Sequence, residues 1–196
     1  VYIATKREQV KRQAWAEFRA IYNKVRDLFG SMSPPLLLPK PLTESVTISD
    51  KERWFATIWS GDEDDPEAFQ GFHAPYELFI IDEASGISDP VREAIDRCML
   101  SKDNHLLAIG NPVRRSGWFY KHQTKPTSSM NIVHVSALEV PNVVEGKEII
   151  PGLITRERVN EWREKYGEHS PFWQISVLGE FPQEGDDSLI PWGDIE

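Results

Sequence analysis

Apolar positions change period along the chain, and the changes mark an alternation of strands and helices. Val1-Tyr2-Ile3-Ala4-Thr5 is a run of β-branched and aromatic residues, which predicts a buried strand. From about 8 to 28, Val10, Ala14, Phe18, Ile21 and Val25 recur at helical spacing, with Arg12, Arg19 and Arg26 on the other side. Gly30 and the Ser-Pro-Pro run at 33–35 end that helix and open a loop. Residues 45–48 and 54–59 predict two short strands paired as a hairpin. Leu78-Phe79-Ile80-Ile81 predicts a buried strand that ends in Asp82-Glu83. A helix follows to about Leu100, with Asp89 as its N-cap and Pro90 at its first position. Leu106 to Ile109 and Ile132 to Ser136 read as two more buried strands. Thr155 to Tyr166 reads as a charged amphipathic helix capped by Thr155. Continuous apolar strands between helices imply an α/β fold with a mainly parallel sheet.

Two features of the ends set an expectation about extent. The first residue is not methionine, and the chain opens inside what looks like a sheet strand. Leu189 to Asp194 resembles a linker. The sequence is therefore expected to be a piece of something longer, with at least one element upstream.

Composition excludes some classes and leaves others open. The 196 residues are 40% hydrophobic, too many for a disordered chain. No apolar run approaches the ~20 residues that a membrane span requires. The single cysteine, Cys98, rules out an intrachain disulfide framework and fits a reducing compartment; its place in a helix reads as a small buried hydrophobe. The five histidines lack zinc-ligand spacing. A net charge of −9 gives no general reason to expect nucleic-acid binding, but it is uneven. Residues 1–30 hold seven basic side chains against three acidic ones, while 61–70 hold five acids and no base.

The chemistry is concentrated at two strand ends. Four apolar residues followed by Asp82-Glu83 form the Walker B pattern of nucleotide hydrolases. A dry strand fixes both carboxylates at the edge of the sheet where α/β proteins bind ligands. Asp82 would hold Mg²⁺, usually through water, and Glu83 would orient and polarise the water that attacks a γ-phosphate. The competing reading is that the two acids simply cap a turn. The second signal is Leu106-Leu107-Ala108-Ile109 running into Gly110-Asn111-Pro112. A polar residue at the tip of a neighbouring strand can sense a γ-phosphate, with Gly110 permitting close approach and Pro112 stiffening the exit. An ordinary tight turn is the alternative there. Both motifs on consecutive buried strands, joined by one helix, favour the nucleotide reading.

Residues 69–75 (Phe-Gln-Gly-Phe-His-Ala-Pro), 80–87 (Ile-Ile-Asp-Glu-Ala-Ser-Gly-Ile), 107–112 (Leu-Ala-Ile-Gly-Asn-Pro) and 116–120 (Ser-Gly-Trp-Phe-Tyr) together resemble the ATPase domain of the large terminase subunit of tailed bacteriophages and prophages. Residues 177–182 (Val-Leu-Gly-Glu-Phe-Pro) and 188–191 (Ser-Leu-Ile-Pro) are similar to the segment joining that ATPase to a nuclease domain, and Thr5 through Trp15 to the strand and helix after the P-loop helix.

The resemblance implies a RecA-like (ASCE) P-loop NTPase fold. Residues 106–109 would neighbour 78–81, with 1–5 beyond, and 132–136 would lie on the far side of a strand not present here. It implies 1–150 as the C-terminal part of the ATPase core and 151–196 as a helical subdomain and linker. It also implies a Mg²⁺-dependent ATPase that drives double-stranded DNA into a procapsid. Its partners would be the portal protein, the procapsid and the small terminase subunit. The motor would work as a homo-oligomeric ring in the bacterial host cytoplasm. Asp82 takes the magnesium role, Glu83 the catalytic carboxylate, and Gly110 and Asn111 the nucleotide-coupling role.

Two departures stand out. No Gly-rich loop ending in Gly-Lys-Ser/Thr occurs in the 196 residues, and the nuclease acids are absent too. These residues alone are therefore expected neither to hydrolyse ATP nor to cut DNA. Arg114 and Arg115, Arg53 and Arg7 are candidates for a cation that stabilises charge on the transferring phosphoryl group, and Arg114 is the best placed. Arg12, Arg19 and Arg26 read first as a solvated helix face. Trp15, Trp54, Trp59, Trp118, Trp162 and Trp173 read as core. The alternatives are another RecA-like motor, such as a helicase, or a non-catalytic scaffold that kept the fold and lost the phosphate loop.

Overall fold

The computed structural model describes residues 1–12, 14–32, 38–49, 54–60, 71–127 and 130–183. The chain divides into two compact units, one from Val1 to Ile109 and one from Gly110 onward.

The first unit is built on a five-stranded sheet in the order β2-β3-β1-β4-β5. Its strands are β1 (Tyr2–Ala4), β2 (Ser45–Ser49), β3 (Trp54–Ser60), β4 (Tyr76–Ile81) and β5 (Asp103–Ala108). β1 pairs parallel with both β3 and β4, and β4 pairs parallel with β5. Only the β2–β3 hairpin is antiparallel. The mainly parallel α/β sheet expected from the sequence is the one observed, with 78–81 and 106–108 side by side and 1–5 beyond.

Between β1 and β2 run two helices, α1 (Arg7–Arg12) and α2 (Ala14–Gly30). Val10 and Trp15 are buried with Ala4, Val46 and Ile58, and Phe18 and Tyr22 pack onto that cluster. The buried face is therefore rotated from the expected one. Ile21 is 61% exposed, and Val25, Leu28 and Met32 are exposed with it. Trp15 and Tyr22 take the inward places because their rings reach the sheet and stack through Phe18, at centroid distances of 4.6 and 5.8 Å.

The helix after β4, α3 (Asp89–Cys98), buries Val91, Ala94, Ile95 and Cys98. Its N-cap is Ser88 rather than Asp89, which occupies the first helical turn where a carboxylate meets the positive end of the helix dipole. Burial of the Cys98 thiol raises its pKa, with the charge of Glu77 adding to the shift, as suits an inert core residue. Of the tryptophans expected in the core, Trp15, Trp118 and Trp173 are buried, while Trp54 is 59% exposed.

The second unit is helical: α4 (Gly117–Thr124), α5 (Pro141–Glu145), α6 (Arg156–Tyr166) and α7 (Pro171–Trp173), which runs on into a π-helical turn at Gln174–Leu178. Thr155 caps α6 as expected, its hydroxyl accepting from Arg158 N. Val143, Val159, Trp173 and Val177 form the core. Asn142 is fully buried and staples the loop after α5. Its Nδ2 donates to the carbonyls of Ile150 and Leu153, and its Oδ1 accepts from the amides of Ile149 and Ile150.

The expected strand at 132–136 is not formed, a correction with a clear cause. Among the described residues no strand pairs with it. The segment is instead held by side chains against the π-helical turn. Ser136 Oγ donates to Val177 O at 3.0 Å, and the His134 ring bonds Leu178 O at 2.8 Å. Gly179 makes this approach possible: it sits at φ 72°, and a Cβ there would lie 2.9 Å from Val135 O. That is the reason for a glycine in the Leu-Gly-Glu-Phe-Pro segment.

Candidate functional site

The two acids stand at the carboxyl end of β4, an inner strand of the parallel part of the sheet. Burial of Phe79 and Ile81 fixes that strand, and the turn leaving it is tied to both neighbours. Asp82 N donates to Ile3 O on the β1 side at 2.8 Å. On the β5 side Ala84 N donates to Ile109 O at 2.9 Å, while Ile109 N donates back to Ile81 O at 2.8 Å. The chain then makes a single 3₁₀ turn over Ala84–Gly86.

Within that turn Glu83 has a left-handed backbone, φ 52° and ψ 43°, and is the one non-glycine residue with positive φ among those described. Such a conformation costs of order 1–2 kcal/mol for an L-residue and persists only where its surroundings enforce it. Here Asp82 Oδ1 accepts the Glu83 amide at 2.9 Å.

Both carboxylates receive a hydroxyl from the β1 segment. Tyr2 Oη donates to Asp82 Oδ2 at 2.6 Å, and Thr5 Oγ1 donates to Glu83 Oε2 at 3.0 Å. Burial, then the bond to Asp82, push the Tyr2 phenol well above its ordinary pKa, so it remains a donor across the neutral range. Neither Tyr2 nor Thr5 stood out in the sequence, where 1–5 read only as strand. The missing signal was register: parallel pairing of Ile3 with Ile81 brings the end of β1 level with the acids.

Asp82 suits a hard divalent cation held through water. It is an oxygen donor at the solvent edge, and each oxygen accepts one protein hydrogen bond, so lone pairs remain on both. No cluster of three or more metal-binding side chains occurs among the described residues.

Gly110, Asn111 and Arg114 open the second unit, directly after Ile109 in the chain. Asn111 is exposed, and its carbonyl accepts from Val113 N at 2.9 Å in a short turn stiffened by buried Pro112. The two neighbouring arginines differ. Arg115 donates to Gln183 O and lies over the Tyr120 ring, a structural role. Arg114 is exposed and makes no hydrogen bond or ion pair with the described residues. Arg53 and the side chain of Arg7 lie outside the described residues, as does the acidic run at 62–67. Arg12 forms an exposed ion pair with Glu8, whereas Arg26, paired with Asp27, is half-buried.

A cavity of about 340 Å³ lies elsewhere, at the amino ends of β1 and β4. It is apolar, bounded by Trp15, Phe18, Ala56, Tyr76 and Leu78.

Comparison with known proteins agrees with the sequence. The chain is 29% identical over 203 aligned residues to the probable terminase, large subunit, of Enterobacteria phage P7, an alignment covering all of this chain and 39% of that protein. The solved large terminase of a thermophilic bacteriophage superposes with a TM-score of 0.57 at 15% identity, over 92% of this chain and 40% of that one. No family model matches. The chain thus spans about two fifths of the length of the curated relative it matches. Its resemblance to phage large terminases and its RecA-like α/β fold are borne out.

Proposed function

We propose that this chain is the part of a phage large terminase ATPase that carries the hydrolytic acids and the coupling segment, and that it serves a motor translocating double-stranded DNA into a procapsid. The observation that carries the reading is the acid pair at the end of an inner parallel strand, in a chain similar to a terminase large subunit over its whole length. No helix of the described residues is long and apolar enough to cross a membrane.

In this reading Asp82 holds Mg²⁺ through water, and the ion, when bound with ATP, neutralises charge on the β- and γ-phosphates. Glu83 orients the attacking water and takes its proton. Its left-handed backbone sets the direction in which the side chain leaves the turn, and the Thr5 hydroxyl limits rotation of the carboxylate. Asn111 and Gly110 report the state of the γ-phosphate to the segment behind them. Arg114 supplies positive charge to the transferring group, within its own subunit or in a neighbour. Residues 1–150 act as ATPase core and 151–196 as helical subdomain and linker. The partners are those of a packaging motor: double-stranded DNA, portal, procapsid and small subunit, with the ATPase in a ring in the host cytoplasm.

The test is Mg²⁺-dependent ATP hydrolysis by the full-length protein, with and without double-stranded DNA. Glu83→Gln is expected to lower turnover by roughly 10²- to 10⁴-fold, the usual worth of a positioned general base. The 196-residue chain alone is expected to be inactive. No turnover by the full-length protein would turn the reading toward a scaffold.

A further inference from the structure

We propose that Thr5 is a positioning residue for Glu83, and that the β1 segment thereby sets the geometry of the hydrolytic carboxylate. The proposal rests on the reading of Glu83 given above. Three observations carry it. Thr5 Oγ1 donates to Glu83 Oε2 at 3.0 Å across 78 residues of sequence. Glu83 adopts the one left-handed non-glycine backbone among the described residues, so its side chain leaves the turn in a direction that the strand alone would not give. Finally, Thr5 itself is confined. A Cβ on Gly86 would lie 2.6 Å from Thr5 Cγ2, so the γ-methyl already fills the space over that glycine.

The three form a chain of constraint. Absence of a side chain at Gly86 admits the Thr5 methyl, the seated methyl fixes χ1, and fixed χ1 aims the hydroxyl at Glu83. A carboxylate gripped at one oxygen loses its free rotation and presents a single orientation to water. Threonine suits this place better than serine or valine. Serine keeps the donor but loses the methyl that seats it, and valine keeps the shape but loses the donor.

The experiment compares Thr5→Val, Thr5→Ser and Glu83→Gln, alone and combined, in the full-length protein. Thr5→Val is expected to lower kcat by about tenfold, since a hydrogen bond to a charged group is lost at the reacting centre. The KM for ATP and the melting temperature should remain unchanged. Thr5→Ser should retain turnover within about threefold of wild type, because the donor survives. Thr5→Val added to Glu83→Gln should cost nothing more, as both act through one carboxylate. In the nucleotide-free protein the Glu83 ¹³Cδ resonance should move in Thr5→Val and stay near its wild-type position in Thr5→Ser.

An effect of Thr5→Val that adds in full to Glu83→Gln, that appears in KM alone, or that leaves the Glu83 resonance unmoved would overturn the proposal. So would a Thr5→Ser protein as slow as Thr5→Val. Turnover that collapses in Glu83→Gln but is untouched by Thr5→Val would overturn the positioning role and leave the ATPase reading standing. A wild type without turnover would overturn that reading instead, and the nucleotide-free resonance would still decide the Thr5–Glu83 contact.

Discussion

Leu78-Phe79-Ile80-Ile81 and Ile132-Val133-His134-Val135 are similar in propensity, yet only the first becomes a strand. β4 lies between β1 and β5, so the main-chain groups on both of its sides find ladder partners, and Phe79 and Ile81 are buried. The segment at 132–136 has no ladder neighbour among the described residues, and Val133 is 81% exposed. It is docked instead by His134 and Ser136 on the π-helical turn. β-propensity describes fit to a half-buried pleated surface, and that surface must be supplied by other strands.

The contrast can be broken most forcibly at Phe79. Phe79→Ala should cost about 3–5 kcal/mol in urea unfolding, the range for a fully buried aromatic side chain. A loss below about 1 kcal/mol would mean that burial does not hold the acid-bearing strand.

Asn142 tests the second unit, where a buried amide takes the place that a ladder has in the first. Asn142→Ala is expected to destabilise by about 2–3 kcal/mol, because four hydrogen bonds are lost and buried backbone groups are left unpaired. Asn142→Asp should be destabilising as well, since it removes the two donations to carbonyls and buries a charge.

A smaller effect is expected from pH at Glu77, whose carboxylate accepts from Asn104 Nδ2 at 3.1 Å across the β4–β5 pair. Burial raises its pKa above the ordinary value, only partly offset by a backbone bond near Ala74. The folded state therefore holds this proton more tightly than the unfolded state. The resulting stability is complete below the unfolded pKa and is lost as pH rises through the folded one. Glu77→Gln should thus gain on wild type as pH is raised across the carboxylate range, measured as melting temperature against pH. A gap that narrows with rising pH would contradict this.

The smallest effect should come from the exposed segment. Val133→Thr is expected to change stability by less than about 0.5 kcal/mol. A loss above about 1.5 kcal/mol would place Val133 in a packed ladder after all.

Much of the site was legible because its signals are local. Four apolar residues followed by two acids name a strand and its carboxyl end, and one short helix later the next strand ends in Gly110-Asn111-Pro112. Thr155 was readable as a cap for the same reason. The hydroxyls that grip the acids were not legible, since Tyr2 and Thr5 meet Asp82 and Glu83 from 80 and 78 residues away. The inward face of α2 was misjudged because Ile21 and Val25 fit the helical period as well as Trp15 and Tyr22 do. Only the position of the sheet chooses between those stripes.

The sequence by itself determined the class of fold and the place of the acid pair, because period, caps and strand ends depend on neighbours in the chain. Tertiary structure alone decided which apolar segments became strands, which helix face turned inward, and that Glu83 is held in a left-handed turn beside the threonine that follows the adjoining strand. Those outcomes depend on register and on which surfaces meet, and no local pattern contains either.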